Sequence, residues 1–104
     1  MSDGFILLDD LVAETLREMT PDERAEFEAA IPEVRARMRL AELVYHARTE
    51  AGLSQQTLAE LAGTRQSTIS AIESAGQAPG GVTLERIAVA LGCHVGFIPA
   101  PAAP

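Results

Sequence analysis

Residues 55–73, QQTLAELAGTRQSTISAIE, constrain the fold of this chain more than any other stretch. Two short runs with helical apolar spacing flank Gly63, which supplies a turn. Two helices so joined cross at a wide angle only if small residues sit where they meet, and Ala59 and Ala62 provide that contact. Leu58, Leu61, Ile69 and Ile72 would form a shared apolar underside, leaving Gln66, Ser67, Ser70 and Ala71 to face outward.

The flanking sequence supplies further helices. Residues 5–8 are a short apolar run, either a strand or a docking arm. Asp9 or Asp10 then caps a first helix in which Leu11, Val12, Leu16 and Met19 repeat at helical spacing. Thr20-Pro21-Asp22-Glu23 is a capping box with proline at the first helical position, and the helix it opens is expected to stop before Pro32. A longer helix should run from Pro32 or Glu33 to Ala51, with Val34, Met38, Ala41, Tyr45 and Arg48 as its inward stripe and Gly52 as its stop. Ser54 caps the next helix, helped by a Leu53 and Leu58 staple. Residues 75–82 read as a loop. Thr83 is expected to cap a last helix with the stripe Leu84, Ile87, Ala88 and Leu91, ended by Gly92. Residues 94–98 read as one short strand, and residues 99–104 as a disordered Ala/Pro tail.

Charge divides the chain more sharply than its net value of -7 suggests. Residues 1–33 hold ten acids against Arg17 and Arg24, a balance of -8, whereas residues 34–104 hold six arginines against five acids, a balance of +1. Such a division suggests two partners of opposite charge, the alternative being a solubilising face. No apolar run reaches the length of a membrane helix, and the N-terminus carries acids where a secretory signal carries Lys or Arg, so a cytoplasmic location is expected. Cys93 is the single cysteine; it excludes an intrachain disulfide and a cysteine zinc cluster, and is expected to be a buried, inert thiol.

The outward residues suit a nucleic-acid partner. Short polar side chains at the start of the second helix can enter a major groove, where helix amides meet phosphates and side chains reach base edges. The run Arg48, Ala51-Gly52-Leu53-Ser54-Gln55, Leu58-Ala59, Gly63, Gln66-Ser67, Ile69-Ser70, Ile72-Glu73, Pro79 and Thr83-Leu84 through Ala90-Leu91-Gly92 resembles the phage-repressor type of helix-turn-helix, and within it the HigA-like antitoxins of bacterial toxin-antitoxin pairs. The resemblance implies an all-α fold, a five-helix repressor domain with an N-terminal helical extension and a short C-terminal strand. It implies that Gln55 and Gln66 contact DNA, that Ser67, Thr68 and Ala71 face bases, and that Arg48 and Glu73 form a structural ion pair. Ser70 and Arg65 complete the expected DNA face, Arg65 being the one cation between residues 53 and 74. Arg65 stands where the family usually has a capping Ser or Thr, so that cap is lost or passed to Thr64. Ala75 stands where the family has a glycine, which here follows as Gly76.

Taken together, residues 1–32 are expected to form an acidic helical segment that binds a partner through Phe5, Leu8, Leu11, Leu16, Met19 and Phe27. Residues 33–98 are expected to form the DNA-binding domain, with residues 94–98 pairing across a homodimer axis. The resemblance implies an antitoxin that neutralises a basic RelE- or HigB-like toxin ribonuclease and represses its own operon by binding double-stranded operator DNA as a dimer. A stand-alone repressor and a protein-interaction adaptor that no longer binds DNA are the alternatives. No enzyme is expected: His46 and His94 have no metal-ligand spacing, no nucleophile stands beside a base, and neither a cofactor nor a small-molecule substrate is implied. Glu23, Glu26 and Glu28 read as a solvated or partner-facing surface, and Tyr45 as core.

Overall fold

The structure is a computed structural model and describes residues 8–102. Five helices follow one another: α1 (Leu8–Glu18), α2 (Pro21–Glu50), α3 (Gln55–Ala62), α4 (Gln66–Glu73) and α5 (Gly81–Ala90). Contacts divide the chain into two units, Met1–Glu33 and Val34–Pro104. Residues 5–7 of the expected arm lie outside the described residues, as do the side chains of Leu8 and Asp9.

In the first unit, α1 starts at Leu8, so Asp9 and Asp10 lie in its first turn and neither is its cap. Acids there still favour the positive end of the helix. The turn between α1 and α2 is closed by the capping box: the Thr20 amide donates to Glu23 Oε1 at 2.9 Å, and the Glu23 amide donates to Thr20 Oγ1 at 3.2 Å. Arg24 Nη2 then reaches back to the Leu16 carbonyl at 2.9 Å, satisfying an acceptor at the end of α1.

The expected break at Pro32 does not occur. Residues 21–50 form one helix with Pro32 inside it. Proline removes one helical hydrogen bond and costs about 3 kcal/mol in a helix interior. Here Glu28, whose carbonyl loses that bond, is exposed to water, and the flanking Glu, Ala, Arg, Met and Leu residues are strong helix formers. The summed preference of both flanks outweighs the local penalty.

The second unit is organised around α3, which packs against both α4 and α5. Its core consists of Val44, Leu58, Ala59, Ala62, Ile69, Ile72 and Ile87, with Leu53, Ala90 and Leu91 against it. Leu58, Ile69, Ile72 and Ile87 are fully buried, each worth about 1.5–3 kcal/mol. Leu61 does not join them: it is 59% exposed, because α3 turns Leu58, Ala59 and Ala62 inward. The inward stripe of α2 is also displaced from expectation. Ala41 and Val44 are buried, while Val34, Met38 and Tyr45 are about half exposed. Tyr45 instead packs edge-to-face on His46 at 5.5 Å, with the Arg48 guanidinium 5.5 Å from its ring centre.

Four of the helices end in one hydrogen-bond pattern, in which an amide returns to the carbonyl five residues earlier. The donors are Leu53, Thr64, Gly76 and Cys93, bonded to Arg48, Ala59, Ala71 and Ala88 at 3.1, 2.9, 2.8 and 2.7 Å. This motif puts the preceding residue in the left-handed region, where glycine is favoured. Gly63 fills it after α3 at φ +68°, but after α4 it falls to Ala75 at φ +62°.

Two further expectations are corrected at α5. Gly80 is its N-cap, and Thr83 lies inside the first turn. Beyond the helix no strand forms among the described residues: residues 94–98 have no neighbouring strand to pair with, and a lone strand has no ladder to stabilise it. Cys93 is exposed rather than buried, with Sγ 3.6 Å from the Leu91 carbonyl oxygen.

Candidate nucleic-acid interface

The site begins with the turn that sets α4 against α3. The Ser54 hydroxyl accepts from the Thr57 amide at 3.0 Å and fixes the start of α3. Gly63 ends α3, and the chain passes through extended Arg65 (φ -93°, ψ 149°) into α4. Arg65 occupies the N-cap of α4 without a side-chain cap. The first amides of a helix have no intrahelical acceptor, and an uncapped start leaves them to water or to an anion.

Arg48 and Glu73 tie α2 to α4. Arg48 Nε donates to Glu73 Oε2 at 2.7 Å and Nη2 donates to Glu73 Oε1 at 3.0 Å, a two-pronged pair. Arg48 Nη1 also donates to the Leu53 carbonyl at 2.7 Å, so one guanidinium holds the α2 to α3 turn as well. Burial raises the Glu73 pKa, but the hydrogen bonds from Arg48 and Gln55 outweigh it and hold the carboxyl below its ordinary value. Arg48 is correspondingly raised above the usual arginine value by its bond to Glu73.

The network extends to the surface. Gln55 Nε2 donates to Glu73 Oε1 at 3.1 Å, and Gln66 Nε2 donates to Gln55 Oε1 at 2.8 Å. An ionised carboxylate only accepts, so Gln55 must turn its NH2 to Glu73 and its oxygen to Gln66. Gln66 must then donate, which keeps its own Oε1 and second N–H for a ligand. One free acceptor beside one free donor matches the N6 and N7 edge of adenine in a major groove.

Among the residues expected at the DNA face, Arg65, Gln66 and Ser67 are exposed, whereas Thr68, Ser70 and Ala71 are half-buried along α4. Gln55 is half-buried beneath Gln66. The coupling of Gln55 to Glu73 is invisible in a linear reading, since the two are 18 residues apart. Leu11 is 45% exposed, and Leu16, Met19 and Phe27 are half-buried in the first unit; Phe5 lies outside the described residues. Leu16 and Met19 line a shallow groove of about 380 Å³ with Pro21, Arg24 and Ala25. Among the described residues no group of His, Cys, Asp and Glu could hold a metal ion, and no helix is long and apolar enough to cross a membrane.

A polar, uncapped helix start carried on a glycine-turned helix pair is the arrangement of a helix-turn-helix. The family model described as helix-turn-helix matches residues 44–98, and the chain belongs to that family, in its phage-repressor type. Fold and family together make it a DNA-binding transcription regulator. Comparison with curated proteins and with solved structures returned no match.

Proposed function

We propose that this regulator is an antitoxin: it represses its own operon through α4 and neutralises a basic RelE- or HigB-like toxin ribonuclease through its first unit. The observation that carries this reading is the separation of a unit with a balance of -8, bearing exposed Leu11 and a groove lined by Leu16 and Met19, from the unit that holds the helix-turn-helix. An acidic surface is repelled by DNA and attracts an enzyme whose RNA-holding face is cationic, so charge speeds association while apolar side chains hold the complex. The protein itself catalyses nothing in this reading. Operator binding takes two copies, because one recognition helix with a single nearby cation reads too little DNA.

The second reading is a stand-alone repressor in which the acidic unit serves solubility; it accounts equally for the family and the fold. Leu11→Glu in the full chain separates them. In the antitoxin reading this variant binds operator DNA as the parent does in a shift assay but no longer rescues growth when co-expressed with the toxin gene beside it. Full rescue by Leu11→Glu, or the absence of any neighbouring gene for a small basic protein, favours the stand-alone repressor.

A further inference from the structure

The segment beyond α5 carries large apolar side chains into solvent. Phe97 is 106% and Ile98 90% exposed, and Val95 is half exposed. Scattered exposed aliphatics are ordinary, but a wholly exposed Phe beside a wholly exposed Ile is not. The same unit also presents an open groove between α3 and α5, of about 400 Å³. Leu61 and Val89 line it, 59% and 65% exposed, together with the charged residues Glu60, Glu85 and Arg86.

We propose that this groove receives residues 95–98 of a second copy, and that two copies exchange these arms reciprocally. The proposal rests on the reading of the chain as a homodimer and names its contact surface. Area argues for the second copy. A Phe side chain brings about 150–250 Å² to an interface, so with Ile98 and Val95 the arm brings roughly 400 Å² and its groove a similar amount. Two reciprocal contacts then bury about 1,600 Å², the size of a standard specific interface, and one contact alone would bury half of that. The exposure of Phe97 shows that the chain's own arm is not seated in its own groove. Reciprocity follows from two-fold symmetry, in which each copy supplies one arm and one groove.

The experiment is sedimentation equilibrium of the full chain at tens of micromolar, on the order of a weak dimer constant. The parent is expected to be a dimer. Phe97→Ser and Leu61→Glu should each raise the dissociation constant about 1,000-fold, since truncating an anchor costs about 30-fold and symmetry counts it twice. Helical circular dichroism should not change, because both side chains are exposed. A monomeric parent overturns the proposal. A dimer that survives Leu61→Glu but not Phe97→Ser also overturns it, and leaves the homodimer reading standing. A cross-linking arm fixes the location: in a Cys93→Ser background, chains with Leu61→Cys mixed with chains with Ile98→Cys should form a mixed disulfide on oxidation. Its absence refutes the exchange, as does a purely intramolecular disulfide when one chain carries both substitutions.

Discussion

Gln66 Nε2 donates to Gln55 Oε1 at 2.8 Å, and through this bond the part-buried ion pair of Arg48 and Glu73 reaches the outer surface of the domain. The polarity of each amide in the chain from Arg48 through Glu73 and Gln55 is set by the one before it. Gln66→Ala should therefore weaken binding to the operator by about 1–3 kcal/mol, the range for one good base contact, and affect random DNA much less. Gln55→Ala leaves the Gln66 amide free to reverse, and should lose part of the same discrimination. Titrations of both variants against operator and random duplexes check this; equal losses on the two DNAs would remove Gln66 from the reading face.

Arg65 is exposed at the start of α4 and is the one cation between residues 53 and 74, so its expected contact is phosphate rather than base. Arg65→Ala should weaken operator and random DNA alike. The slope of log affinity against log salt should fall by roughly 0.9, the counterion released by one phosphate contact. An unchanged slope would place Arg65 off the duplex.

Glu73 has a pKa held below the ordinary value in the folded chain. A lowered carboxylate contributes stability that is full above its unfolded pKa, about 4.3, and is lost as pH falls through the folded value. Glu73→Gln should cost about 1.5–3 kcal/mol at neutral pH, the range for hydrogen bonds to a charged group. The deficit should shrink on acidification below about pH 4, because the parent then loses what the variant already lacks. Urea unfolding at pH 7 and pH 3 measures this difference, and a deficit that grows in acid contradicts the assignment.

Ala75 adopts φ +62° in the turn where Gly63 serves after α3. An alanine in the left-handed region costs roughly 1–2 kcal/mol, partly offset by the freedom that glycine adds to the unfolded chain. Ala75→Gly should stabilise the protein by about 0.5–1 kcal/mol. Gly76→Ala should do the reverse, since its Cβ would stand 3.3 Å from the Ala71 carbonyl oxygen. Thermal melts of the two variants should shift in opposite directions.

Much of the fold was legible because its signals are local. The Thr20 box, the Ser54 cap and the Gly63 turn each act over three or four residues, and each appears where its chemistry places it. The candidate site was readable only as a set of positions along α3 and α4. Thr68, Ser70 and Ala71 are half-buried along α4, a degree of exposure that depends on how α4 sits on α3 and not on residue type. Leu61 was misread for a related reason: helical spacing gives a stripe about the helix axis, and a small shift of that axis moves a leucine from the core to the surface.

The sequence by itself determined the bounds of α3 and α4, the capping box that opens α2, the division between an acidic first third and a near-neutral remainder, and the small residues at the heart of α3. Tertiary structure decided the rest. Arg48 reaches both Glu73 and the Leu53 carbonyl, and on the same helix Val44 lies in the core while Tyr45 lies outside it. Tertiary structure also joined Gln55 to Gln66 and Glu73, residues 11 and 18 positions away, and left residues 94–98 without a strand to pair with. Caps and turns close within a few residues, whereas burial and side-chain networks depend on neighbours that only folding brings into reach.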